Sequence, residues 1–333
     1  MKLFTKGLII GSIATVVTTG TVFGVSEYFY NTAVKRKDYD EAAEGKSKRG
    51  KLAIKSREPM YKQMENYKLI SRANMDFFGH LDEKAISIYA VDGIKLVADL
   101  YTVPGEAKGT VIFAHSYRGE PHKDCCSIAR YYYEKGYNVL LPYMRGCGKS
   151  AGKHITYGVY ESVDMQYWAE DIGRRFGKDL PIYLHGISLG ASSVLMAVDK
   201  NLPENVKGIV ADCGFTSSFR EFKHLIKNDM PITEFPFLPI FNLYCIKRAD
   251  FSIRDKDTVQ NMMRNTTVPV LFVHGDADSF VPTAMTYENY DACQAKKELL
   301  IVPGAAHTMS YYMAPAQYKD AIGRLLEGTL GGE

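Results

Sequence analysis

The sequence predicts an α/β domain with a mostly parallel central sheet and helices on both faces. Short apolar runs such as 109–115 and 137–143 are continuous rather than alternating, as expected of strands that are buried on both faces. These runs alternate with segments of helical periodicity, which is typical of βαβ crossovers. The chain has 333 residues, of which 46% are hydrophobic and 24% charged, so its composition is that of a globular protein with a large core.

The elements follow one another in a regular order. Residues 85–103 predict an antiparallel hairpin around Asp92-Gly93, a strong turn signal, and this hairpin adds an antiparallel edge to the sheet. The buried strands are predicted at 109–115, 137–143, 181–186, 206–212, 268–275 and 297–304. The helices are predicted at 125–135, 160–176, 189–198 and 314–326.

Residues 215–265 interrupt this alternation. Their aromatic and proline run, FPFLPIF at 235–241, predicts irregular structure because proline breaks regular helix. An insertion of this kind is expected to be a short lid over one end of the sheet, with its apolar side chains forming a wall of any pocket at that end.

The N-terminal region differs from the rest of the chain. Residues 7–26 carry no charge and would reach about 30 Å as a helix, enough to cross the hydrocarbon core of a bilayer. Aromatic residues at 28–30 and basic residues at 35–37 follow, as at a membrane interface. We therefore predict a single-pass anchor at 1–34, a charged linker at 35–75 and an α/β domain at 76–333 that includes the lid. The alternative is a cleaved signal segment and a secreted protein.

Composition argues against several other classes of protein. The net charge of +3 is too small to predict a nucleic-acid partner. The six cysteines form no CxxC pair, and the sequence contains no HEXXH zinc motif. Neither a metal nor an organic cofactor is expected.

The pentapeptide GISLG at 186–190 places Ser188 between a predicted strand and a predicted helix. This is the context in which a G-x-S-x-G turn holds a serine nucleophile above the sheet. The N–H of Leu189 lies at the start of the helix, where it could stabilise an oxyanion. A second donor is expected from the loop HSYRG at 115–119, through the N–H of Tyr117.

A serine nucleophile needs a base, and the base needs an acid that orients it. His307 lies in the loop after the last predicted strand, where its imidazole can reach over the sheet. Asp278 is the predicted acid, with Asp276 and Asp212 as alternatives. The order Ser, Asp, His along the chain is that of the α/β-hydrolases.

Five motifs resemble those of the α/β-hydrolase superfamily, and within it the bacterial serine aminopeptidase-like (hydrolase-4, lysophospholipase-related) branch. They are HSYRG, YMRGCGKSAG at 143–152, HGISLGA, HGDADSFVP at 274–282 and GAAHTMSY. The resemblance implies an α/β-hydrolase fold and a triad of Ser188, Asp278 and His307. Ser116 stands where the family usually has glycine.

The expected function is that of a serine hydrolase acting through an acyl-enzyme on a small-molecule ester, lipid or peptide. A carboxylesterase is the first choice, and an aminopeptidase-like peptidase or a lysophospholipase is the alternative. A peptidase of that kind would need carboxylates near the site, and Glu221, Asp229 and Glu234 in the lid are the candidates. A catalytically silent binding module is the alternative from outside the enzymes.

Overall fold

The computed structural model describes residues 20–36, 55–230, 232–254 and 259–331. Its centre is an eight-stranded sheet in the order β1-β2-β4-β3-β5-β6-β7-β8. The strands are β1 (Glu83–Tyr89), β2 (Lys95–Tyr101), β3 (Thr110–Ala114), β4 (Asn138–Tyr143), β5 (Ile182–Ile187), β6 (Val206–Asp212), β7 (Val270–Gly275) and β8 (Lys297–Val302).

The strand directions confirm the predicted fold class. β1 pairs antiparallel with β2, and β2 pairs antiparallel with β4, so the predicted hairpin forms the antiparallel edge. Every other neighbouring pair, from β4–β3 to β7–β8, is parallel. Because the carboxyl ends of parallel strands lie at one edge of a sheet, the loops after β3, β5, β7 and β8 meet there.

Helices cover both faces of this sheet. They are α1 (Glu58–Gly79), α2 (Pro121–Glu134), α3 (Val159–Phe176), α4 (Leu189–Met196), α5 (Ser218–Asp229), α6 (Glu234–Ala249), α7 (Val259–Met263), α8 (Thr283–Ala292), α9 (Ser310–Met313) and α10 (Pro315–Leu326). Side chains from α3 and α4, such as Trp168 and Val194, are buried in one apolar cluster. Side chains from α2 and α10, such as Tyr132 and Ile322, are buried in another.

The lid is more regular than the sequence predicted. Residues 215–265 contain α5, α6 and α7, and α6 includes the aromatic and proline run. Phe235 has non-helical backbone angles, so the regular helix begins at Pro236, where a missing N–H removes no helical hydrogen bond. Pro239 lies one turn further on and removes at most one bond, so the prediction that prolines would prevent a helix here was wrong.

Aromatic side chains connect the lid to the body of the domain. Phe237 and Phe241 are buried and stack with ring centroids 5.7 Å apart. Phe241 contacts Phe222, and Phe222 contacts Tyr157 at 4.8 Å. Tyr157 in turn stacks on Tyr117 of the 115–119 loop. The lid therefore packs towards the loop that is predicted to hold the oxyanion.

The predicted linker is part of the folded domain over much of its length. Helix α1 spans Glu58–Gly79 and buries Met60, Asn74 and Phe78 against the domain. Asn74 donates a hydrogen bond to the hydroxyl of Ser127 in α2. The domain boundary predicted at residue 76 is therefore too late, and residues 55–75 belong to the domain. The middle of the predicted linker, 37–54, lies outside the described residues.

Part of the predicted anchor also packs on the domain. Residues 20–29 are helical, and Tyr30–Val34 continue as a π-helical turn in which Tyr30 and Val34 are fully buried. The first 19 residues of the predicted membrane segment lie outside the described part of the chain. None of the helices within the described residues is long and apolar enough to cross a membrane.

Candidate active site

Ser188 lies on a sharp turn between β5 and α4 with a backbone φ of 57°. This left-handed conformation is uncommon for a residue other than glycine and is typical of a strained functional turn. Two glycines make the turn possible, because there is no space for side chains beside it. A Cβ atom on Gly186 would lie 2.2 Å from the carbonyl oxygen of Gly190, and one on Gly190 would lie 1.9 Å from that of Ala114.

The structure brings Ser188, His307 and Asp278 into one hydrogen-bonded chain. His307 Nδ1 lies 2.7 Å from Asp278 Oδ2, and because a carboxylate can only accept, Nδ1–H is the donor. His307 Nε2 is then free to accept from the Ser188 hydroxyl, whose Oγ lies 2.8 Å away. All three residues are buried. This arrangement allows His307 to take a proton from Ser188 while Asp278 holds the required tautomer.

Asp278 is held as an ionised carboxylate by its neighbours. Burial raises its pKa, but the charges and hydrogen bonds of His307 and His274 outweigh burial and hold the pKa of Asp278 below its usual range. Its Oδ1 accepts from the N–H groups of Phe280 and Val281, both at 2.9 Å. The Asp278 carboxylate thus accepts hydrogen bonds from four donors, namely two histidine rings and two backbone N–H groups.

His274 is a supporting residue that sequence reasoning placed only at the end of a strand. Its Nε2 lies 3.0 Å from Asp278 Oδ2 and 3.0 Å from the carbonyl oxygen of Val281, so Nε2–H donates to this pair of acceptors. Its Nδ1 accepts from the hydroxyl of Thr286 at 2.6 Å. The sequence signal was the histidine at the start of the HGDADSFVP motif, but its contact with Asp278 depends on the folded loop.

The two alternative acids occupy other places. Asp276 is exposed, and its Oδ1 accepts from the N–H of Gly304 at 2.6 Å, which joins the loops after β7 and β8. Asp212 is buried at the end of β6 and accepts from the hydroxyl of Tyr318 at 3.0 Å. Burial raises the pKa of Asp212 to about 6. Neither carboxylate is hydrogen-bonded to His307 in the described residues.

The two predicted oxyanion donors lie on segments that touch. The carbonyl of Ala114, just before the 115–119 loop, packs against Gly190 of α4. Leu189 is the first residue of α4, so its N–H has no partner within the helix. Among the described residues, neither this N–H nor that of Tyr117 donates to another group. Both amides are therefore available to a ligand.

Ser116 is accommodated by hydrogen bonds rather than by special backbone geometry. Its φ is not positive, so the position does not require glycine. Its hydroxyl and its N–H both donate to Asp124 Oδ2, at 2.6 Å and 3.0 Å. At Gly119 a Cβ atom would lie 2.0 Å from the same carboxylate oxygen, so a larger residue there would displace the Asp124 side chain. Asp124 thus fixes the loop that carries Tyr117.

The N-terminal segment contacts this same loop. The hydroxyls of Tyr117 and Tyr157 both donate to the carbonyl oxygen of Ala33, each at 2.8 Å. Arg118 donates to the carbonyl of Lys35 at 2.6 Å. These contacts were not foreseen, because the sequence shows this stretch only as an aromatic and basic continuation of an apolar segment. Residues before the predicted domain therefore help to hold the 115–119 loop.

Two groups in the described residues bring metal-ligating atoms together. One consists of Asp278 and His307 with the buried thiol of Cys213, and its carboxylate and imidazole already bond each other. The other consists of Glu83, Asp99 and His122, where Lys149 donates to Asp99 at 2.9 Å. Asp278, His307 and Asp99 are thus already engaged by protein groups.

The sheet order, the turn at Ser188 and the hydrogen-bonded Ser188, His307 and Asp278 define an α/β-hydrolase fold with a candidate hydrolase site. Comparison with known families agrees, since a sequence model described as the alpha/beta hydrolase fold matches residues 109–237. The match supports placement in the α/β-hydrolase superfamily.

Similar proteins extend the likeness to most of the chain. The uncharacterized protein YqkD of Bacillus subtilis is 23% identical over 75% of this chain and 81% of its own length. Protein bem46 of Schizosaccharomyces pombe is 26% identical over 61% of this chain and 62% of its own. These relatives do not identify a particular branch of the superfamily.

Solved structures of esterases share the fold. A Pyrococcus furiosus esterase, Pf2001, superposes with a TM-score of 0.61 at 23% identity, covering 75% of this chain and 92% of its own. Est1E of Butyrivibrio proteoclasticus, solved with ferulic acid bound, superposes with a TM-score of 0.56 at 20% identity, covering 73% of this chain and 98% of its own. These likenesses show the fold that the chain shares with them.

Proposed function

We propose that this protein is a serine carboxylesterase that acts through an acyl-enzyme on small-molecule esters. The observation that carries the proposal is the buried hydrogen-bonded chain from Ser188 Oγ through His307 to Asp278. Esterases are among the structural neighbours, and so is an acylaminoacyl peptidase of Pyrococcus horikoshii, so the choice of an ester over a peptide bond is part of the proposal. Placement in the aminopeptidase-like branch remains a prediction from the motifs.

In the proposed mechanism, Ser188 Oγ attacks the acyl carbonyl carbon and its proton passes to His307 Nε2. The oxyanion that forms accepts hydrogen bonds from the N–H groups of Leu189 and Tyr117. Collapse of this intermediate breaks the bond to the alcohol oxygen, which receives the proton from His307. Water then attacks the acyl-enzyme with His307 again as base, and the carboxylic acid leaves.

A fluorophosphonate probe tests whether Ser188 is an activated nucleophile. We expect the folded full-length protein to be labelled at close to one probe per chain, with the label on the peptide that contains Ser188. Absence of labelling in folded protein would contradict the esterase and favour the binding module.

We also propose that the N-terminal segment attaches the protein to a membrane. The proposal is supported by the uncharged run at 7–26 and by the exposed Phe23 in the described, helical end of that run. Orientation across the membrane is left open by the basic residues on both sides of the run.

Cell fractionation tests this attachment. We expect the full-length chain to pellet with membranes and to resist carbonate extraction, because an apolar span is held by the hydrophobic effect rather than by charge. A soluble product whose N-terminus lies near Ser26 would show instead that the segment is a cleaved signal.

A further inference from the structure

Glu221 in the lid is a buried acid to which the mechanism assigns no task. It lies in the first turn of α5 and is 6% exposed. In the described part of the chain, neither of its carboxylate oxygens has a hydrogen-bond partner. Burying a polar group without a partner costs free energy of unfolding. An unpartnered acid at such a position is therefore a candidate for binding a ligand.

Arg57 is a second polar group with an unpartnered donor, and it lies near the candidate active site. Its guanidinium lies over the ring of Phe280, 4.1 Å from the centroid. Its Nε is buried and has no partner among the residues that the structure describes. The ring of Phe280 in turn lies 4.9 Å from the ring of His307. Arg57 is thus separated from the candidate base by one aromatic ring.

Contacts between α5 and the neighbouring segments place Glu221 beside this group. His224, one turn after Glu221, contacts the carbonyl oxygen of Ser279 at 3.2 Å. The Ser279 hydroxyl donates to the carbonyl of Ser56. Glu221 therefore lies where α5, the loop after Asp278 and the segment before α1 come together. In agreement, burial raises the pKa of Glu221 well above its usual value, the charge of Asp278 raises it further, and Arg57 lowers it.

The position of Glu221 and Arg57 relative to His307 indicates which part of a substrate they would contact. His307 Nε2 must reach the leaving oxygen of the ester in order to protonate it. Side chains packed around the His307 ring therefore border the leaving alcohol rather than the far end of the acyl chain. Arg57 lies on this side through Phe280, and Glu221 is close enough to Arg57 and Asp278 to sense their charges.

A protonated Glu221 carboxyl beside the Arg57 guanidinium favours a neutral ligand that both donates and accepts. Burial and the nearby Asp278 carboxylate favour the uncharged form of Glu221, so a cation would be repelled by Arg57 with no charge on Glu221 to attract it, and an anion attracted by Arg57 would be repelled by Asp278. A hydroxyl group can donate to the Glu221 carboxyl and accept from the Arg57 Nε–H. The other lid carboxylates do not add to an amine site, since Asp229 accepts from the N–H and hydroxyl of Ser56 and Glu234 pairs with Lys223.

We propose that Glu221 and Arg57 form a subsite for a hydroxyl group on the leaving alcohol, so that monoesters of diols and polyols are preferred over simple alkyl esters. The inference rests on the serine-esterase function proposed above. It names a substrate class for that site.

Two esters of equal size test the subsite, namely 2-hydroxyethyl butyrate and n-propyl butyrate. They differ only in whether the leaving alcohol ends in a hydroxyl or a methyl group. For the full-length protein we expect kcat/KM to be about tenfold higher for the hydroxyethyl ester, the value of a hydrogen bond to a charged group. Glu221→Leu and Arg57→Met should each remove most of this preference while retaining turnover of the propyl ester.

Matched variants and a stability measurement separate recognition from structure. Lys55→Met, in the same segment as Arg57 but exposed, should keep the wild-type preference. Glu221→Leu should keep or raise the melting temperature, because an apolar side chain replaces an unpartnered acid. A lower melting temperature with an equal loss on both esters would overturn the subsite, as would a wild-type ratio near one.

The remaining outcomes are also decisive. Faster turnover of 2-aminoethyl butyrate than of the hydroxyethyl ester would overturn the hydroxyl assignment in favour of a cation site. If the wild-type protein hydrolyses neither butyrate ester and Ser188 is not labelled by a fluorophosphonate, the esterase function itself fails and the subsite fails with it. If only the subsite proposal is wrong, Ser188 is still labelled and the propyl ester is still hydrolysed.

Discussion

Replacing Ser188 with alanine is expected to lower kcat for p-nitrophenyl acetate by about six orders of magnitude, the loss measured for a comparable triad nucleophile. The substitution removes the oxygen that lies 2.8 Å from His307 Nε2, so no acyl-enzyme can form. Steady-state kinetics of purified wild-type and variant protein measure the difference. Turnover by the alanine variant at the wild-type rate would contradict the mechanism.

Ser193 provides a matched control for this substitution. It lies in the same helix, is also buried, and its hydroxyl donates to the carbonyl oxygen of Leu189 at 2.8 Å. Ser193→Ala therefore removes one buried hydroxyl near the site without touching the proposed nucleophile. We expect it to retain most of kcat and to lose at most about 1 kcal/mol of unfolding free energy, the usual net value of one such hydrogen bond. Equal losses in the two variants would mean that the effect is structural.

The parts of the site that the sequence predicted are those fixed by local backbone chemistry. The turn at Ser188 needs glycines at 186 and 190 because two carbonyl oxygens occupy the space where Cβ atoms would lie. Such a requirement can be recognised in the sequence as a short motif. A polar residue just after a buried strand can be recognised in the same way. His307 and Asp278 were found in this way, at loops whose common edge follows from parallel strand order.

Helix α1 could not be read from its sequence for a physical reason. Only a few of its side chains, among them Met60, Asn74 and Phe78, are buried, and one of these is polar. A helix that uses so little of its surface in packing shows no apolar stripe, and its charged residues resemble those of a solvated linker. Its place in the domain depends on tertiary contacts such as that between Asn74 and Ser127.

The contacts of the N-terminal segment were not predicted because its aromatic and basic residues fit both a membrane interface and a buried protein segment. An aromatic group followed by basic residues is typical of a membrane interface, and it also suits burial in a protein. Tyr30 is fully buried, and its hydroxyl contacts His154 Nε2 at 2.9 Å. Glu221 and Arg57 are a similar case, since a charged residue in a lid or in a charged linker is usually solvated. Only the fold shows that these two have unpartnered buried atoms.

Replacing Asp278 with asparagine is expected to lower kcat by about 10⁴-fold, as in a comparable triad. The side-chain amide has nearly the same shape, but its NH₂ group would face His307 Nδ1 and force the proton onto Nε2. That nitrogen could then no longer accept from Ser188. Asp276→Asn is the matched control, because the Asp276 side chain is exposed and, within the described residues, accepts from the N–H of Gly304. We expect this control to stay within about threefold of wild type, as a surface change of about 0.5 kcal/mol or less would produce.

The difference in unfolding free energy between wild type and Asp278→Asn should depend on pH in a defined direction. The pKa of Asp278 is held below its usual range in the folded protein, so its contribution to the unfolding free energy is present above the unfolded pKa, about 3.9, and is lost as the pH falls towards the folded value. The stability difference between wild type and Asp278→Asn should therefore be largest near neutral pH and shrink in acid. Denaturant unfolding of both proteins at several pH values measures this difference. A larger loss of kcat in Asp276→Asn than in Asp278→Asn, or a stability difference that grows in acid, would show that Asp278 is not the ionised partner of His307.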